Sequence, residues 1–301
     1  MAAISFSHVT KRSPGAVALS DVSFDVRAGS CHAICGENGA GKSTLGKILA
    51  GLQKPDGGEI LLDGDAVRFD DPRDALASGV AMVHQELAFC ENLTVGENLC
   101  LGQLPRRLGF VQRDVVHRRA RTLLATIGAS IDPRRQMDTL TVAEQQLVQI
   151  ACAVGAAAKV IVFDEPTSSL GADDAERLFT LIDELKTRGV TIIYVSHRMK
   201  EIHRLCDDIT VLRDGRHVAT RPASELDEVA LIQLMIGRQL EQYFPTAVSE
   251  ELGEERLRVE GLARDTAFDD VSFTLRAGAV LGLAGLIGAG RSAIAKSIFG
   301  L

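Results

Sequence analysis

Eight residues restrict this chain more than any others. Positions 36–43 read Gly36, Glu37, Asn38, Gly39, Ala40, Gly41, Lys42 and Ser43, which fits GxxxxGK[ST]. The octapeptide follows the apolar run 32–35 and opens a helical pattern over 44–50, so it joins a strand to a helix. Glycines here let successive backbone N–H groups converge on one anion, and the helix N-terminus adds the positive end of its dipole. Lys42 supplies a point charge to phosphate oxygens, and the Ser43 hydroxyl suits Mg2+. A glycine-rich turn that only caps a strand is the bland alternative. The Lys42–Ser43 pair and the flanking patterns weigh against it.

A chain of 301 residues holds one large domain or two small ones. Net charge is -7, which gives no electrostatic reason to expect a nucleic-acid partner, although it leaves room for a local basic patch. Cys31, Cys35, Cys90, Cys100, Cys152 and Cys206 form no paired CxxC array, so they read as reduced thiols and not as a zinc site. No charged and then apolar leader opens the sequence, and the longest apolar stretch, 280–290, is far short of the ~20 residues that span a bilayer. Any membrane role is therefore expected to be peripheral.

The organisation comes from an internal repeat. Residues 18–52 reappear as 267–301 at a constant offset, without a gap, and 16 of the 35 positions are identical. A domain-sized period means tandem duplication, with the second copy present only through its opening strand, loop and helix. Between the copies, helical pattern fades at Pro245 into an acidic stretch. The expected division is a domain over 1–237, a linker over 238–255 and the start of a second domain over 256–301. Within the first copy, apolar runs at 32–35, 80–83, 160–163 and 191–195 alternate with helical patterns. That predicts an α/β fold with a parallel sheet covered on both faces. Around 113–128, Val116, Ala120, Leu123, Leu124 and Ile127 share a helical stripe beside Arg118, Arg119 and Arg121, which suggests an inserted helical subdomain.

The run 160–163 ends in Asp164 and Glu165. Neighbours on a strand point to opposite sides, so Asp164 can face a metal while Glu165 faces an attacking water. The next strand ends in Tyr194, Val195, Ser196 and His197, at the sheet edge where parallel α/β folds place ligands. His197 and Gln85, which follows the strand 80–83, say little when taken alone.

In this order the residues resemble an ATP-binding-cassette ATPase, and the likeness is strongest to tandem-cassette subunits of bacterial monosaccharide importers. Residues 36–44, 93–98, 196–199 and 211–215 carry it. The resemblance implies a P-loop cassette with a parallel-sheet core, an N-terminal antiparallel β region and a helical insert. It also implies ATP and Mg2+, with Gly36 through Thr44 around the phosphates and Ser43, Gln85 and Asp164 at the metal. Glu165 is then the general base, His197 holds the γ-phosphate, and Gln85 senses the metal and the attacking water. Implied partners are membrane permease subunits, a periplasmic binding protein acting indirectly, and a second cassette. The implied position is peripheral, on the cytoplasmic face of the inner membrane.

Several positions depart from that pattern. The signature segment reads Leu140, Thr141, Val142, Ala143, Glu144, Gln145 where the family has LSGGQ. Thr141 can stand for the serine hydroxyl, and Thr141 with Glu144 predicts a capping box opening a helix whose buried stripe is Leu147, Ile150, Ala151 and Val154. Val142 and Ala143 hinder close backbone approach to a phosphate. Ser13 stands where an adenine-stacking aromatic is expected, which leaves apolar contacts such as Val17. The second copy's loop has Arg291 in place of lysine, a planar and bulkier cation.

Overall fold

The computed structural model describes residues 2–13, 15–84, 89–101, 104–156, 158–237, 253–264, 267–285 and 289–300. It divides into two compact units, 1–238 and 239–301.

The first unit opens with two long strands, β1 (Ala2–Ser13) and β2 (Ala16–Arg27). Next come β3 (Cys31–Cys35), α1 (Lys42–Leu49), β4 (Gly57–Leu62), β5 (Asp65–Val67), α2 (Pro72–Ala77) and β6 (Val80–Val83). An insert follows: α3 (Val95–Leu99), the short hairpin β7 (Arg106–Arg107) and β8 (Phe110–Val111), α4 (Arg113–Thr126) and α5 (Val142–Gly155). The chain then returns through β9 (Val160–Asp164), α6 (Ala172–Thr187), β10 (Thr191–Val195), α7 (Met199–Leu205), β11 (Asp208–Arg213), β12 (Arg216–Pro222) and α8 (Glu228–Ile236).

The strands form two principal sheets. One is antiparallel, in the order β2-β1-β4-β5; the other has the order β12-β11-β3-β10-β9-β6 and is parallel except for β12. Every residue of β3, β9 and β10 is buried, as expected of strands covered on both faces. Alternate residues serve different cores. Val160, Val162, Ile193 and Val195 join Leu45, Ile48 and Leu49 of α1 and the inner face of β1 and β2. Ile161, Phe163, Ile192 and Tyr194 join α5, α6 and α7 on the other side. Each such Ile or Val contributes about 1.5–3 kcal/mol through burial, and the period of two decides which core receives it.

The insert is helical as the 113–128 stripe predicts, with Val116, Ala120 and Leu124 buried. Two of its helices, α3 and α5, start at capping boxes, Thr94 with Glu97 and Thr141 with Glu144. Each box satisfies two backbone donors that the first turn leaves without a helical partner. The α5 stripe needs correction. Ile150 and Ala151 are buried, but Leu147 and Val154 are only half-buried, while Gln146, Val148 and Gln149 are buried. Contacts reach α5 from both the insert and the sheet, which widens its buried face beyond one apolar row.

The second unit consists of the antiparallel pair β13 (Glu255–Arg264) and β14 (Phe268–Arg276) and the helix α9 (Arg291–Phe299). The repeat seen in the sequence recurs in the backbone. Positive φ falls at matched positions: Asp21 and Asp270, Gly29 and Gly278, Gly36 and Gly285, Gly41 and Gly290, Gly51 and Gly300. Most of the expected linker lies outside the described residues, and Glu255 already belongs to β13.

Candidate functional site

The loop from β3 to α1 is shaped by close backbone approach. A Cβ on Gly36 (φ 156°) would lie 2.2 Å from the Leu212 carbonyl oxygen, and one on Gly41 (φ 99°) would lie 2.6 Å from that of Ala18. Gly39 (φ 85°) has open space on that side. Glu37, Asn38 and Gly39 are exposed, whereas Gly36, Ala40 and Gly41 are buried and fix the loop ends. Gly41 caps α1, so the helix N-terminus opens at the loop. Lys42 is buried, and its Nζ donates to the carbonyls of Gly36 (2.9 Å) and Glu37 (3.0 Å). Burial lowers its pKa, and the charges of Glu165 and Asp164 partly restore it.

Ser43 Oγ donates to Asp164 Oδ1 across 3.1 Å, joining the loop to the C-terminal end of β9. Burial is the main force raising the Asp164 pKa, with Glu165 adding repulsion and the Ser43 hydrogen bond opposing. A hydroxyl and a carboxylate that is costly to keep ionised form a hard-oxygen pair suited to a small divalent cation. Strand alternation does not set the direction of Glu165. β9 ends at Asp164, and Glu165 sits at φ 48° with its N–H on the Val195 carbonyl at 2.9 Å. This left-handed turn, uncommon for a non-glycine residue, aims the side chain. Its Oε1 lies 3.0 Å from His197 Nδ1, so the ends of β9 and β10 bring together two residues 32 apart in sequence.

Residues 19–168 match a family model described as ABC transporter. The chain is 47% identical over 292 residues to a ribose import ATP-binding protein of Rubrobacter xylanophilus, covering 97% of this chain and 59% of that one. It is 45% identical over 303 residues to an arabinose import ATP-binding protein of Burkholderia thailandensis, covering 99% of this chain and 59% of that one. The crystal structure of the ADP conformation of an ATP-binding cassette of an ABC transporter superposes with a TM-score of 0.66 at 26% identity, over 79% of this chain and 100% of that one. The chain belongs to the ABC transporter family. It spans a little under three fifths of the length of these curated relatives.

In this cassette the remaining expected residues stand apart. Gln85 lies outside the described residues. Val17 is exposed at the start of β2, next to Ala18, whose carbonyl packs against Gly41. Thr141 caps α5 through Glu144, which also pairs with Arg135 at 2.6 Å. Among the described residues no hydrogen bond joins Thr141 to the phosphate loop.

The sequence reading missed Glu201. This buried carboxylate of α7 accepts from Thr167 Oγ1 (2.8 Å), Tyr194 OH (2.8 Å), Ser196 Oγ (3.3 Å) and Arg198 Nη1 (3.2 Å). It ties the segment after Glu165 to the segments on either side of His197. The available signal was an acidic residue five positions after Ser196, on the short helix that follows His197.

Proposed function

We propose that the chain binds ATP with Mg2+ and hydrolyses it to energise import of a monosaccharide. The observation that carries this reading is the meeting, at one sheet edge, of the Lys42 loop, the Ser43–Asp164 pair and the Glu165–His197 pair. Backbone amides of 36–44 and Lys42 bind and orient the phosphates. Ser43 and Asp164 hold the metal, which when bound neutralises charge on the phosphate oxygens. Glu165 accepts the proton of the attacking water. His197, whose Nδ1 is engaged by Glu165, presents Nε2 to a phosphate oxygen. Catalysis is then mostly positioning and charge stabilisation.

The sugar assignment is supported by relatives whose names specify ribose and arabinose import. Permease subunits in the membrane are the direct partners, with a periplasmic binding protein upstream. Among the described residues no helix is long and apolar enough to cross a membrane, which fits a peripheral position on the cytoplasmic face. The matched backbone of 267–300 supports a second cassette beginning there. In the cassette arrangement each ATP site is completed by the signature of an opposing copy, so this chain alone binds Mg-ATP and turns it over slowly. The test is nucleotide binding and ATPase rate of the 301-residue protein beside a full-length tandem form. Turnover as fast as the tandem form, or nucleotide affinity unchanged by Lys42→Ala, overturns the reading.

A further inference from the structure

One surface of the helical insert lies outside the nucleotide site. The β7–β8 hairpin closes with Arg107 paired to Phe110 around Leu108 (φ 52°) and Gly109 (φ 86°). This two-residue turn asks for positive φ at both central positions and favours Asn, Asp or Gly at the first. Leucine there is strained and has no polar group to bond locally. It is also 92% exposed, and Phe110 is 80% exposed. A strained, solvent-facing leucine beside a solvent-facing phenylalanine gains nothing inside this molecule.

The hairpin is not a loose excursion. The Gln112 N–H donates to the Pro105 carbonyl at 2.8 Å, closing the base where β8 enters α4. Around it, residues 106–121 hold Arg106, Arg107, Arg113, Arg118, Arg119 and Arg121 against the single acid Asp114, a local charge of +5 in a chain of net charge -7. All six arginines are exposed, and among the described residues none forms an ion pair. The inward stripe of α4 is Val116, Ala120 and Leu124, so Arg118, Arg119 and Arg121 lie away from the core.

We propose that the β7–β8 hairpin and the arginine face of α4 form a contact surface for an anionic phospholipid bilayer. Leu108 and Phe110 dip into the headgroup boundary while the arginines meet lipid phosphates. Apolar tips above a cationic collar suit that interface, and basic surfaces are drawn to the anionic leaflet. Single-stranded nucleic acid would use the arginines and Phe110 but gives Leu108 no apolar phase to enter, and the rest of the chain is acidic. The surface owes nothing to the ATP site.

The test is flotation of the purified chain with phosphatidylcholine vesicles, with and without a minority of phosphatidylglycerol. Expected is flotation with the anionic vesicles at low salt and release as salt rises. Each arginine near the surface is worth about fivefold in binding, so Arg106→Glu with Arg107→Glu weakens it at least tenfold. Leu108→Ser with Phe110→Ser weakens it too, and removes the part that resists salt. Nucleotide affinity stays unchanged in both variants, which checks that they fold. Flotation that is absent, equal on neutral vesicles, or indifferent to both variants overturns the proposal, as does displacement from vesicles by substoichiometric RNA. Failure of nucleotide binding in the wild type would sink the catalytic reading and leave the flotation result standing.

Discussion

Cys31–Cys35 and residues 280–284 occupy the same place in the two halves of the repeat, yet only the first is a strand. β3 lies between β10 and β11 with every residue buried. The matching 280–284 segment has no strand partner among the described residues, and Val280 is 97% exposed. The elements flanking it keep their form, because β14, the left-handed Gly290 and α9 depend mainly on local turns, caps and one hairpin pairing. A hairpin and a capped helix can therefore be specified locally, whereas a central parallel strand exists only when its neighbours do.

Alanine at matched glycines probes this most strongly. At Gly36 the new Cβ meets the Leu212 backbone carbonyl of β11 in addition to its strained φ. At Gly285 the same φ applies, but the nearest atoms are the Ala289 Cβ at 3.0 Å and the flexible Arg291 side chain. Gly36→Ala is expected to cost about 4 kcal/mol and Gly285→Ala about half that. Thermal unfolding reads both, and equal shifts would mean that the second loop is as tightly enclosed as the first.

Much of this frame was legible in advance. Residues 36–43, the strands ending at Asp164 and Val195, and the Thr141–Glu144 box all carry local signals, and the structure forms them. The direction of Glu165 was not legible, because a left-handed turn is not encoded by strand period. Glu201 was hidden for a related reason. Its partners come from residues 34, 7, 5 and 3 positions away, and a buried carboxylate is recognisable only once those donors converge.

The two cations at matched loop positions come next. Lys42 is buried and donates to two carbonyls of its own loop, whereas Arg291 is a wider fork on an exposed helix. Lys42→Ala should weaken binding of a fluorescent ATP analogue about 30–100-fold, the loss of a charge-assisted phosphate contact. Arg291→Ala should change it less than about twofold. A large effect at Arg291 would make the second loop a working nucleotide site.

Glu201→Gln should destabilise the first unit by about 2–3 kcal/mol, since four converging donors lose an ionised acceptor. ATPase rate should fall more than nucleotide affinity, because Glu201 acts by holding Ser196 and Arg198 beside His197. Loss of affinity without loss of rate would show that it braces the phosphate loop instead.

The smallest effect separates the copies by pH. His32 of β3 is buried, with Nε2 2.7 Å from Thr210 Oγ1 and Nδ1 without a hydrogen-bond partner among the described residues, and Phe24 stacks on it at 5.6 Å. The matched residue in the second copy is Leu281, which cannot titrate. Burial lowers the His32 pKa from 6.5 to about 4, with a smaller opposing pull from Asp208. The unfolded chain therefore binds this proton first on acidification. Stability is fully present above pH 6.5 and is lost as pH falls from there towards 4. Between pH 7 and 5 the loss should be about 1–2 kcal/mol from this residue. His32→Leu places the second copy's residue at the position, and it should flatten that part of the pH–stability curve while leaving Thr210 bonded to Thr220 at 2.8 Å. An unchanged slope in the variant would assign the acid sensitivity to other groups.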